Sequence, residues 1–375
     1  MKVGLFYLIQ ANEARTPKND YQRFWETVEE VTYAEQVGFD SFWLVEHHFE
    51  PEHSFSSTPE ITLTALSQRT SIMRLGFGVA MIPTHHPLRL AAQVATMDIL
   101  SNGRIDLGAG RSKTPHQLAP FSVSLEDTRE KMVESLSMIP RMWTEEVFSH
   151  QGQYYQIPPR EVVPKPVQQP HPPMWLACTQ DETLQMAGEM GIGCMMNVVG
   201  GIDKTAMSIK TYKQALREAK PVGKFINNRV LVSMLTYCDE QNHRALERGG
   251  EIGAWSKNVG VARNSHLWEG VDTSSVPDDY RRYVPGGGNR QLESISTEDF
   301  LTRGGYCIGD PDTCIQTLEQ YETLGVDGVL CSLQHGPTAH HENMNTIRLF
   351  GKYVIPHFQE KERKACLAPT PVAGK

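Results

Sequence analysis

Ser41-Phe42-Trp43-Leu44-Val45-Glu46-His47-His48-Phe49 runs from an apolar, β-branched and aromatic core straight into one acid and two adjacent histidines. A run that apolar reads as a strand buried on both faces, as in a parallel sheet. Strand alternation sends neighbouring side chains to opposite faces, so His47 and His48 cannot share one. A polar cluster where such a strand stops is what a barrel enzyme places at its mouth. Two histidines fixing a loop would be the plainer reading of the pair alone. The layout recurs, however: the apolar stretch Leu75–Ile82 closes in Pro83-Thr84-His85-His86-Pro87.

Working outward, strand-like and helix-like segments alternate. Strands are expected at Val3–Ile9, Ser41–Val45, Leu75–Ile82, Arg104–Gly110, Met174–Ala177, Gly193–Val198, Arg229–Tyr237 and Gly328–Leu333. Tyr21, Phe24, Val28, Val31 and Ala34 fall at helical spacing before Gly38, Thr58-Pro59 opens another helix, and Ser124 is read as the cap of a third. Eight strands, nearly all followed by a helix, predict a single (β/α)8 TIM barrel over residues 1–362. Insertions are expected at 147–172, read as a hairpin with an extended arm, and at 251–305, read as irregular and lid-like around Pro285-Gly286-Gly287-Gly288. Residues 363–375 read as a flexible tail. An open doubly wound sheet is the alternative, but no GxGxxG loop follows the first strand.

The formal charge of -8 argues against a nucleic-acid or anionic-membrane surface. No run of 18 apolar residues suggests a membrane span, and the chain enters a strand at Lys2 without a signal-peptide pattern. Seven scattered cysteines, with no CxxC pair, suit free thiols in a reducing cytoplasm and disfavour a zinc site.

In a barrel the carboxyl ends of the strands line the site. Read in order, they offer Tyr7, Glu46-His47, Gly78-Val79-Ala80, Gly108-Ala109-Gly110-Arg111, Cys178-Thr179, Asn197 and Ser332. The glycines leave room for a flat ligand against the backbone, or equally for tight strand packing. A guanidinium at Arg111 would satisfy a phosphate or an acidic side chain. Thr179 and Glu182 have the spacing of a capping box, and the same helix N-terminus could take a phosphate.

Four stretches resemble the bacterial luciferase-like monooxygenase family, in the branch of the luciferase α subunit. They are Phe42–Phe49, Pro83–Arg89, Leu100–Arg111 and Arg348–Phe358, and they come in family order. The resemblance implies a TIM barrel that binds reduced FMN at the strand carboxyl ends, usually as a dimer. It implies that His47 supports C4a-peroxyflavin chemistry with O2, with Glu46 or Asn197 as the neighbour that orients it. It likens Gly78–Val79 to a non-proline cis peptide beneath the flavin, Arg111 to the phosphate anchor, and Cys178 and Thr179 to contacts of the ribityl-phosphate. Gly110 falls where luciferase has a reactive cysteine, so the resemblance does not extend to light emission.

The implied activity is oxygenation of an organic small molecule by reduced FMN and O2. No NAD(P)H fingerprint is visible, so a separate NAD(P)H:flavin reductase would supply the reduced flavin. A deazaflavin (F420)-dependent hydride transfer on the same fold, or a non-catalytic flavin-binding subunit, are the alternatives.

Overall fold

The computed structural model describes residues 1–11, 15–112, 114–198, 201–268, 271–278, 280, 281, 284 and 305–367. Its centre is a closed parallel barrel of eight strands. These are β1 (Lys2–Tyr7), β2 (Ser41–Leu44), β3 (Arg74–Phe77), β5 (Ile105–Gly110), β8 (Met174–Ala177), β9 (Gly193–Asn197), β10 (Val230–Cys238) and β12 (Gly328–Ser332). Each pairs with the next in that order, and β12 returns to β1, with Lys2 opposite Gly328 and Leu5 opposite Cys331. A short β4 (Ala80–Met81) continues β3 along β5 after a break at Gly78 and Val79.

Helices cover the outside: α1 (Pro17–Gln36), α2 (Pro59–Ser67), α3 (Pro87–Leu100), α4 (Pro115–Leu118), α5 (Thr128–Thr144), α6 (Asp181–Glu189), α7 (Gly201–Leu216), α8 (Asn242–His266), α9 (Pro311–Thr323), α10 (His340–Leu349) and α11 (Ile355–Leu367). No helix among the described residues is long and apolar enough to cross a membrane. The barrel interior is packed, not open. Trp43 and Trp175 meet edge to face at 5.6 Å, among Met195, Leu231 and Leu330. Gly76 and Gly193 make this possible, since a Cβ at either would lie 2.3 Å from the facing indole.

The motif at 100–111 owes its first half to structure. Asn102 and Gly103 turn the chain with φ of 57° and 79°. Buried Arg104 then donates to the carbonyls of Ser67, Thr70, Met73 and Ser101 and to the Thr70 hydroxyl, so its charge needs no ligand.

Several expectations shift. The 147–172 insertion is the hairpin β6 (Phe148–Gln151) and β7 (Gln156–Arg160), followed by an arm tied down by Val167 and Gln168 N–H groups on Asp98. Ser124 lies three residues ahead of the N-cap position, which Asp127 holds without a side-chain cap, and Ser124 Oγ donates to the Asp127 carboxylate at 2.8 Å. The block at 251–305 is not irregular throughout, because α8 carries its first residues to His266. Gly249 lets α8 approach strand β11 (Tyr306–Gly309), where its Cβ would lie 2.4 Å from Ile308. That strand, missed in the sequence, pairs with β10 outside the barrel. Leu267, Trp268, Val276 and Tyr280 pack on Leu118, Val123 and Leu125. Pro285–Gly288 lies outside the described residues. At the other end, α11 runs to Leu367, past the expected start of the tail.

Candidate active site

At the end of β2 the chain leaves the sheet, and Glu46 N–H donates to Val79 O at 3.3 Å. The Glu46 carboxylate is buried and accepts from Met81 N–H (2.8 Å), with His48 Nε2 at 2.9 Å and His85 Nε2 at 2.9 and 3.0 Å. Burial alone would push its carboxyl up. Hydrogen bonds from His48 and His85, the charge of His85 and the Met81 N–H outweigh this and hold it at about 2. His85 is raised in return, against its own burial. Both Glu46 oxygens are therefore engaged by the protein. Its partners are His48, His85 and Met81, where the sequence had set it beside His47.

What Glu46 positions is the Gly78–Val79 segment, whose peptide bond is cis. The Val79 side chain joins the barrel-interior cluster and covers Gly110, where a Cβ would lie 2.4 Å from Val79 Cγ2. A Cβ at Gly108 would meet Phe77 O at 2.0 Å. The room these two glycines leave is filled by neighbouring strands, so packing is the reading that holds for their missing side chains.

The two histidines diverge as expected. His48 turns to Glu46 and packs on Phe121 at 4.8 Å. His47 turns the other way, to Gln117 Nε2 at 3.1 Å, with Glu50 at 3.9 Å and the His53 ring at 4.9 Å. Neither Glu46 nor Asn197 orients His47. Asn197 is exposed at the end of β9 and accepts the Ser233 hydroxyl.

Arg111 follows β5. Its guanidinium lies over the Tyr280 ring at 4.8 Å and 3.5 Å from the Thr128 hydroxyl. Tyr280 is fixed in turn by Thr128 (2.7 Å) and by donating to Ser112 O (3.1 Å). Arg111 opens into a cavity of about 300 Å³ that Arg129 shares, with Glu126, Glu130 and Asp278 on its rim. Arg129, in the first turn of α5, escaped the sequence reading because a charged residue there looks like an ordinary solvated face.

Cys178 and Thr179 fall less well on their expected roles. The Cys178 N–H donates to Met195 O at 2.8 Å, and its buried thiol turns to Thr183 O at 3.4 Å. Neither donor is left to hold a phosphate. Helix α6 begins one residue later than expected. Thr183 Oγ1 accepts the Gln180 N–H at 3.1 Å, so the capping pair is Gln180 and Thr183 in place of Thr179 and Glu182. Thr179 stays exposed just ahead of that helix. Tyr7 also leaves the site, since its ring is fully buried in the wall, edge-on to Phe42 at 5.4 Å.

A family model for luciferase-like monooxygenases matches residues 1–328. The chain belongs to that family. Among curated relatives, it is 23% identical over 377 residues to the oxygenase component of the flavin-dependent trigonelline monooxygenase of Acinetobacter baylyi, covering 96% of this chain and 97% of that one. It is also 23% identical over 342 residues to the F420-dependent glucose-6-phosphate dehydrogenase of Amycolatopsis mediterranei, covering 88% and 93%. Among solved structures, the oxygenating constituent of 3,6-diketocamphane monooxygenase from Pseudomonas putida, in complex with FMN, superposes with a TM-score of 0.76 at 18% identity, over 95% and 98% of the chains. This luciferase-like chain is thus an oxidoreductase on a TIM barrel, in a family with both flavin and F420 members.

Proposed function

We propose that this luciferase-like protein oxygenates an organic small molecule with reduced FMN and O2, as the oxygenase component of a two-component system. A separate NAD(P)H:flavin reductase supplies the reduced flavin, and the enzyme works as a cytoplasmic homodimer. The observation that supports the reading is a pair of arginines lining one cavity, with a hydrogen-bonded path from the neighbouring Ser112 to His47. Arg111 and Arg129 open into one cavity, and from Arg111 the chain leads through Ser112 and Gln117 to His47. Two guanidinium groups suit a phosphate-ended cofactor as hydrogen-bonding forks, while Glu126, Glu130 and Asp278 leave the lining one negative charge in excess. Bound reduced flavin supplies the electrons that activate O2.

The protein's own residues do the rest. Arg111 and Arg129 hold the phosphate, and Thr179 offers a hydroxyl from the entrance of α6. Glu46, locked to Met81 and Val79, sets the height of Val79 in the barrel mouth, and the Gly78–Val79 segment, seated over Gly110, is the floor beneath the ring. His47 holds or moves a proton at the reacting oxygen. The six buried cysteines are all unpaired, in keeping with a reducing compartment.

The test is to mix the protein with reduced FMN under anaerobic conditions and then add aerated buffer. The reading expects oxidised FMN to return more slowly than from free flavin, and ¹⁸O from O2 to enter a product. The likeness to an F420-dependent dehydrogenase supports the competing reading. Reduction of F420 by a substrate, without oxygen uptake, would replace the proposal with hydride transfer. Unaltered flavin oxidation with neither activity would leave a non-catalytic flavin-binding subunit.

A further inference from the structure

Beyond the His47 ring lies a cluster that the sequence did not single out. Among the described residues, His47, Glu50 and His53 bring donor atoms within 4.8 Å of one another. Two histidines and a carboxylate are a set that transition metals accept. Gln117 argues against a metal. Its amide nitrogen lies 3.1 Å from His47 Nδ1 and also donates to Glu50 Oε1. A hydrogen-bond donor therefore stands where a cation would need both lone pairs.

The other end of the amide fixes which way it faces. Ser112 Oγ accepts the Thr114 N–H at 3.3 Å and has two acceptors for its own proton, of which Gln117 Oε1 at 3.2 Å is nearer than Thr114 O at 3.5 Å. Turning the amide over would set its oxygen against the Glu50 carboxylate, acceptor against acceptor. Glu50 is buried, and its carbonyl takes the N–H groups of His53 (2.9 Å) and Ser54 (2.8 Å), so it does not drift to relieve such a clash. An amide N–H can only donate, so His47 Nδ1 accepts. A neutral His47 ring then carries its proton on Nε2. Edge-on packing against His53 at 4.9 Å holds the ring plane.

We infer that Gln117, oriented by Ser112 and Glu50, is the positioning residue that keeps His47 as the Nε2–H tautomer, the form in which Nε2 is the ring's proton donor. This rests on the acid–base part proposed for His47. The wrong tautomer would leave a lone pair where a donor is needed, with the ring otherwise in place.

The experiment uses protein labelled with ¹⁵N-histidine, without flavin, the His47 signals being assigned with His47→Asn. Wild type should show neutral His47 protonated at Nε2. Gln117→Met, close in size, removes the donor from Nδ1 without setting a second acceptor against Glu50, and should let the proton move to Nδ1. Its turnover should fall by on the order of 10–10², while FMN affinity stays within about twofold of wild type. Ser112→Ala, which frees the amide to turn over, should give a mixture of tautomers and a smaller loss. A wild-type ring protonated at Nδ1, or Gln117→Met with unchanged tautomer and turnover, overturns the clamp alone. Normal turnover by His47→Asn overturns the acid–base part of His47 itself. Added Co²⁺ should give no visible ligand-field band; a band lost in His53→Ala would make the cluster a metal site and overturn the inference.

Discussion

Replacing Glu46 with Gln keeps the shape of the side chain and removes the charge on which three donors converge: Met81 N–H at 2.8 Å and the Nε2 atoms of His48 and His85, each at 2.9 Å. An amide accepts through one atom only, so at least one histidine would face an N–H. Lowering the carboxyl from 4.5 to about 2 corresponds, at about 1.4 kcal/mol per pH unit, to roughly 3 kcal/mol. Removing one partner of a buried ion pair costs about 3–5 kcal/mol, the same size by a separate route. The raised value of His85 is the same interaction seen from its other partner, so the two do not add. The sign follows from the two directions. Glu46 is depressed, so its contribution is complete above 4.5 and is lost as pH falls towards 2. His85 is raised, so its contribution is complete below 6.5 and is lost as pH rises through its folded value. The stability gap between wild type and Glu46→Gln should therefore be widest between pH 4.5 and 6.5 and narrow on both sides. Urea denaturation followed by tryptophan fluorescence, repeated across pH, measures that gap. A gap below about 1 kcal/mol at pH 5.5, or one that stays the same at pH 3, would refute the buried ion pair as the element that holds the Val79 segment.

Arg111→Ala should weaken reduced-FMN binding by about 1.5–3 kcal/mol in equilibrium titration while leaving riboflavin, which lacks the phosphate, unaffected. Arg129→Ala should act in the same direction, and equal loss of both ligands would make either arginine structural. His47→Ala should keep FMN binding and lower turnover by on the order of 10²–10⁴. His48→Ala, which removes a donor to Glu46, should cost stability more than turnover, and the reverse pattern would exchange their parts. Gly110→Ala drives a methyl to within 2.4 Å of Val79 Cγ2 and should destabilise the barrel by about 1–3 kcal/mol in denaturant titration. Val79→Ala in the same chain should recover part of that loss if the contact is the cause.

The architecture was legible because its signals are local. Apolar runs of four to nine residues, each closed by a glycine, a proline or a polar cluster, mark all eight barrel strands. The strand β11 escaped because four residues against the outer end of β10 carry no periodicity of their own. Helix α8 was missed because most of it fell in the block read as irregular, and its support comes from outside, where Ile308 lies against Gly249. The site was legible only in part, for a related reason. Thr179-x-x-Glu182 and Gln180-x-x-Thr183 are both plausible caps one residue apart. The choice is made from outside the segment, by Met195 O, which keeps Cys178 in the sheet register. The same holds at the residue that opened the reading. Glu46 stands next to His47 in the chain, so it reads as the acid that orients it. The strand ends at Leu44, before both, and the loop that follows hands Glu46 to His85, 39 residues further on. His47 is left to Gln117, 70 residues away on a four-residue helix with no motif to mark it. Residue chemistry at a strand end is readable from the chain, whereas its partners are set by which loops the barrel brings to the same mouth.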